Sequence, residues 1–163
     1  MSTDTPILTV VPESNVALAV AARPKRPIEY PHTSRIYLYY SESRVEKDGT
    51  TKVHKIPFAS FALHRTAEDS DLFVGVSMCS PMDQFRYAKA RGIASGRAQK
   101  RVSRDDIAWS ARIPAAEAQD FIKHVLAFRD GIMVARNDQL HSLCPAVQEF
   151  CAAHGVKIRE WRN

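Results

Sequence analysis

Seven lysines and arginines, Arg86, Lys89, Arg91, Arg97, Lys100, Arg101 and Arg104, fall within residues 85–104, and no Asp or Glu interrupts them. The whole chain carries 23 bases against 18 acids. Without this segment it would hold 16 against 18, so the net positive charge lives in one place. Concentrated charge of this kind points to a polyanion surface, whereas diffuse charge serves solubility. A solvated helix face is the plain alternative. At 100° per residue, Arg86, Lys89, Ile93, Arg97 and Lys100 share a sector of about 80°. Like charges three and four residues apart repel, and an extended anionic partner removes that cost.

Two other constellations could carry chemistry. Cys79 lies where a strand gives way to a helix, a position that stabilises a thiolate. A phosphate loop of the Cys-x5-Arg type would need Arg at 85, and Phe85 stands there. A buried Cys on a packed strand is the expected state. His141, Cys144, Cys151 and His154 form a symmetric His/Cys order. Cys144 and Cys151 are about two helical turns apart, some 10 Å, which is too far for one zinc ion on an unbroken helix. No Walker loop, His-Glu-x-x-His, Gly-x-Ser-x-Gly or paired-carboxylate arrangement appears. Asp105, Asp106, Glu68, Asp69 and Asp71 read as solvated loop charge, and His54 and His64 as strand-surface histidines. The expectation is a non-enzymatic protein with no cofactor and no metal.

The elements that must position the basic stretch follow from pattern. Residues 1–34 hold five of the nine prolines and no lasting apolar period, which reads as a flexible arm with Arg23, Lys25 and Arg26 near its end. Residues 35–163 read as a single domain. Residues 35–44 alternate Ile36, Leu38, Tyr40 against Tyr37, Tyr39, Ser41, a strand. Asp48-Gly49 marks a tight turn, and 52–65 returns as a second strand. Pro57 lacks an N–H and asks for an edge or a bulge. Residues 71–79 form a third strand whose Gly75 marks thin packing or a close backbone approach. Ser80, Pro81 and Asp83 suit a helix start, with the helix running to about Arg101. Gly92 and Gly96 cost about 1 kcal/mol each relative to Ala inside it. Close packing of another backbone is expected at Gly92; bending or phosphate approach are the alternatives. A fourth strand at 106–113, helices at 114–131 and 144–155, and a closing strand at 156–161 complete the order; 132–143 is ambiguous. This is an α+β fold: an antiparallel sheet, built from a hairpin plus further strands, with two to three helices packed on one face.

The choice of polyanion follows from the neighbours of the charge. A membrane-surface helix needs a broad apolar face, and this one offers Ala, Gly and Ser. No apolar run approaches a membrane span of about 20 residues. Duplex readout favours a helix-turn-helix context, and here strands precede the helix. Single strands favour a basic groove with aromatic platforms. Arg35, Tyr37 and Tyr39 could supply two rings and a cation if that strand face is open. The expected partner is single-stranded DNA, with RNA as an open alternative, on a surface made of Arg86, Lys89, Arg91, Arg97, Lys100, Arg101, Arg104, Arg35, Tyr37 and Tyr39. A protein–protein module, using the basic helix on an acidic partner, is the runner-up, and a thiol enzyme at Cys79 the third reading. Three cysteines at irregular spacing and an N-terminus without a basic leader suggest the cytoplasm. Edge strands are compatible with a homo-oligomer.

The run FVGVSMCSPMDQFRYAKARGIASGRA, residues 73–98, carries a Cys-Ser-Pro-x-Asp-x-Phe element and an Arg-Gly-Ile-Ala-x-Gly-Arg element. It resembles the single-stranded-DNA-binding RNA polymerase cofactors of N4-related phages. The resemblance covers about 26 of 163 residues. It implies a phage protein that binds single-stranded DNA, through Arg86, Lys89, Arg91, Arg97 and neighbours, and helps a phage or host RNA polymerase engage its template, in the host cytoplasm.

Overall fold

The computed structural model describes residues 25–80, 83–132 and 140–159. Most of the expected arm, residues 1–24, lies outside them, as does Pro81. Residues 25–31 hold no regular element ahead of the first strand. Strands β1 (His32–Val45), β2 (Thr51–Arg65), β3 (Leu72–Met78) and β4 (Ser110–Ile113) form one antiparallel sheet in the order β1-β2-β3-β4. Helix α1 (Tyr87–Arg101) joins β3 to β4. After β4 come a 3-10 turn (Ala115–Glu117), α2 (Ala118–Ile132) and α3 (Leu140–Ala153). Among the described residues no helix is long and apolar enough to cross a membrane.

The hairpin forms where the sequence places it. Gly49 takes φ +82°, and Asp48 accepts hydrogen bonds from the Thr50 amide at 2.9 Å and hydroxyl at 2.6 Å. Leu38 pairs with Ala59 and Tyr39 with Pro57, so Phe58 is the extra residue of a bulge beside the proline.

The α+β class is observed, but the helices take both faces of the sheet rather than one. On one face Ile36, Leu38, Phe61, Leu63, Leu72, Val74 and Val76 meet Phe121 and Val125 of α2 and Leu143, Val147 and Cys151 of α3. On the other, the centre of the sheet is made of small residues, among them Ser60, Ala62, Gly75 and Ser77, all buried. There α1 lays down Ala90, Ala94 and Ala98. The difference has a physical cause. An alanine stripe gives α1 almost no apolar contrast, so its burial does not show in its periodicity.

The approach of α1 is set by Gly75. A Cβ there would overlap the Ala94 carbonyl oxygen and stand 2.5 Å from the Ala98 amide nitrogen. The Ser77 hydroxyl adds a hydrogen bond of 3.1 Å to the Ala90 carbonyl. Here the expected close backbone approach is found.

Three further expectations are corrected. The helix starts at Tyr87, capped by an extended Arg86, not at Ser80. Residues 83–86 are instead used to bring Phe85 against Tyr37 and Tyr87, with ring centroids 6.5 and 5.2 Å away. That aromatic burial outweighs the local capping pattern. The closing strand reduces to a single bridge between Ser110 and Lys157 among the described residues. His64 is buried, not on the strand surface, and its ring nitrogen shares a 2.8 Å hydrogen bond with the Thr33 hydroxyl. Burial lowers its pKa.

Gly75→Ala is therefore expected to cost about 3 kcal/mol or more, because the new methyl group meets helix backbone that cannot rotate away. Urea unfolding of the variant measures this directly; a loss under about 1 kcal/mol would contradict the close-packed interface.

Candidate nucleic-acid interface

With Ala90, Ala94 and Ala98 turned to the sheet, the helical repeat places Arg86, Lys89, Ile93, Arg97 and Lys100 on the flank of α1 toward β4. This flank is concave. Toward its start a cavity of about 420 Å³ lies between α1 and the chain leaving β3, with Arg86, Lys89 and Ile93 among its walls. Toward its end a second cavity, of about 540 Å³, opens between α1 and residues 106–109. Ile93 borders both, so the two hollows follow one another along this flank and are together called the groove. Arg97, Lys100, Arg104 and Arg159 line the second half.

Gly92 and Gly96 lie on that second cavity. A Cβ on either would meet nothing within 4 Å. The expected backbone packing at Gly92 is thus replaced by open space. The glycines keep the groove wide where a ligand backbone could come close.

The cations differ sharply in what already holds them. Arg86, Lys89, Arg91 and Lys100 are exposed, and no carboxylate partners them among the described residues. Arg97 is half-buried and donates from Nη1 to the Val76 carbonyl at 2.5 Å; burial lowers its pKa. It is also one of the residues that line the second cavity. Arg101 is drawn in further, with a side chain only 12% exposed, an Asp105 carboxylate 3.5 Å away and a hydrogen bond to the Asp105 carbonyl. Arg104 holds Asp106 with two bonds of 3.0 and 2.7 Å. Asp105 and Asp106, expected as solvated loop charge, thus clamp the end of the stripe. Asp71 likewise accepts from Arg112 at 2.6 Å and from the Ala115 amide at 3.1 Å.

The remaining expected site residues lie on the other flank. Arg35 of β1 donates to the Ser95 hydroxyl at 3.3 Å, and Arg91, one turn before Ser95, shares that side. Tyr37 and Tyr39 pack beside the start of α1, so their side of β1 is no open stacking platform. Both rings are half-buried. Tyr37 meets Tyr87 edge-on at 5.2 Å. Tyr39 is hydrogen-bonded with Tyr87, and burial, that bond and the nearby tyrosines push its pKa up to about 12. The exposed member of the cluster is Tyr87, at 45%. The expected surface is split: Arg86, Lys89, Arg97, Lys100 and Arg104 come together, and Arg35, Arg91, Tyr37 and Tyr39 stand behind the helix.

Several groove residues are not singled out by the sequence pattern. Met78, Asp83, Gln84 and Phe85 line the first cavity. Trp109 borders the second, buried and in the left-handed region at φ +58°. Its carbonyl accepts from the Val76 amide at 2.8 Å, and its amide donates to the Lys157 carbonyl. This tie fixes the far wall and brings Arg159 to the groove. A positive φ at Trp leaves no mark in the sequence. The signal for Asp83 is present: it is the last acid before the acid-free run.

Cys79 is half-buried, and burial, then the charge of Asp83, raises its thiol pKa. That is the opposite of an activated nucleophile. His154 packs its ring against Phe150 and His124, at centroid distances of 4.4 and 5.2 Å, and the Cys151 thiol is pushed up to about 12 by burial. No group of three or more metal-ligating side chains occurs among the described residues.

No protein-family model matches the chain, and no curated protein or solved structure matches it.

Because their methyl groups would enter open groove, Gly92→Ala and Gly96→Ala should each raise the unfolding free energy by about 1 kcal/mol. Denaturant titration of the two variants checks this. A loss of stability at either position would mean that the glycine serves packing.

Proposed function

We propose that the protein binds single-stranded nucleic acid along the β4-side flank of α1, acting by binding and not by catalysis. The observation that carries this reading is the clustering of unpaired bases along one concave flank of a single helix. Arg44, Arg104, Arg112 and Arg129 all hold carboxylates at 2.6–2.9 Å. Arg86, Lys89 and Lys100 line a groove and hold none among the described residues. Leaving three like charges along one helical edge is unfavourable alone, and phosphates compensate it.

The shape favours a single strand. A helix reading duplex DNA presents a convex ridge to the major groove. Here the charged side is hollow, bordered by Gly92 and Gly96 and walled by residues 106–109. Phe85 adds aromatic surface at the start of the groove, which a stacked duplex would not use. Single-stranded DNA is the proposed ligand, with RNA sharing the same chemistry. The resemblance of residues 73–98 extends the proposal to a phage transcription cofactor that assists an RNA polymerase, or a replication accessory; that part rests on the resemblance alone.

The test is a titration of labelled single- and double-stranded oligonucleotides at several salt concentrations. Single strands should bind more tightly, with log affinity falling against log salt at a slope of about −3 for roughly four phosphate contacts. Joint replacement of Arg86, Lys89 and Lys100 by Ala should flatten that slope to about −1 and leave the fold intact. Equal binding by the triple variant would place the interface elsewhere.

A further inference from the structure

Phosphate binding accounts for the cations of the groove but not for an acid within it. Asp83 lines the 420 Å³ cavity together with Arg86 and Lys89, yet its carboxylate has no cation partner within 4 Å among the described residues. The backbone that carries it is held at both ends: the Asp83 amide donates to the Ser80 carbonyl at 3.0 Å, and the Asp83 carbonyl accepts from the Cys79 thiol at 3.4 Å. Its charge lies close enough to Cys79, on the same cavity wall, to raise that thiol's pKa. A carboxylate at this place repels a phosphate chain. The cost is offset if the ligand also offers a hydrogen-bond donor there.

The rest of the cavity suits a nucleobase. Its volume lies within the range of small-ligand sites. Gln84 supplies an amide that can both donate and accept. Phe85 and Met78 supply apolar walls for a ring face. Arg86 and Lys89 stand at the rim, where phosphates on either side of an unstacked base would pass.

We infer that this cavity receives one unstacked base of the bound strand and selects a base bearing an exocyclic amino group over thymine. The inference rests on the single-strand reading above and adds a base preference to it. A carboxylate accepts a hydrogen bond from the cytosine N4 amino group or its adenine counterpart, and the Gln84 amide can donate to the neighbouring ring nitrogen. Thymine offers its O4 acceptor at the same place, which a carboxylate repels. Extruded bases are read in this way elsewhere, by hydrogen bonds to the pairing edge between apolar or aromatic walls.

The experiment measures the affinity of the full chain for oligo-dC and oligo-dT of equal length, at neutral pH and one salt concentration. The wild type should bind oligo-dC about tenfold more tightly. Asp83→Asn should bring the two affinities within about twofold, chiefly by strengthening oligo-dT. Gln84→Ala, a second variant at the same wall, should shrink the preference by weakening oligo-dC. Equal affinity of the wild type for both, a preference for oligo-dT, or a full tenfold preference surviving in Asp83→Asn overturns the inference and leaves groove binding standing. If neither oligonucleotide binds at low salt, both readings are overturned.

Discussion

The structure depends on how closely α1 can approach β3. Gly75 removes the one side chain that would hold them apart, and Ala62, Ala94 and Ala98 form the dry contact around it. Contacts at this range gain dispersion energy from backbone atoms as well as side chains. A helix seated in this way needs no leucine or phenylalanine of its own. Its large residues are then free to be charged, and α1 spends them on Arg and Lys. A helix held by bulky apolar residues would stand further off the sheet, and its flank would be a ridge rather than the wall of a groove.

The two faces of the sheet divide the work. One carries the large apolar residues that meet α2 and α3 and makes up most of the core. The other contributes little apolar area but sets position closely. Arg97 joins the two roles. Its guanidinium reaches under the helix to the Val76 carbonyl, on the strand that also receives the Trp109 carbonyl through its amide. Helix, central strand and far groove wall thus meet at one residue. The far wall is tied to the central strand by a backbone hydrogen bond, and the helix to the same residue by the Arg97 side chain.

Much of the scaffold was legible in the sequence. The alternation of Ile36, Leu38 and Tyr40, the Asp48-Gly49 turn, the bulge beside Pro57 and the crowding at Gly75 all follow from local chemistry that the fold respects. What was not legible depended on contacts distant in the chain. Ser80 and Asp83 look like a helix start because capping is local; the packing of Phe85 on Tyr37, which delays the helix, is not. The alanine stripe conceals that α1 takes a face to itself, so Tyr37 and Tyr39 read as an open platform when they pack beside its start. Periodicity finds the stripe of Arg86, Lys89, Arg97 and Lys100, but not which of these charges is already engaged. Arg101 and Arg97 look like Lys100 in sequence and differ because of Asp105 and Val76. Gly92 reads as a packing position until the groove beside it is seen.

The central claim is that the β4-side flank of α1 follows a chain of phosphates. Lysine reactivity tests it most directly, because Lys89 and Lys100 lie on the flank while Lys52, Lys55 and Lys123 are exposed far from it along the chain. Acetylation rates would be measured residue by residue, with and without a saturating single-stranded oligonucleotide. The account predicts strong protection of Lys89 and Lys100, with the other three unchanged. Protection confined to Lys52, Lys55 or Lys123, or no protection at Lys89 and Lys100 when the strand is bound, would contradict it.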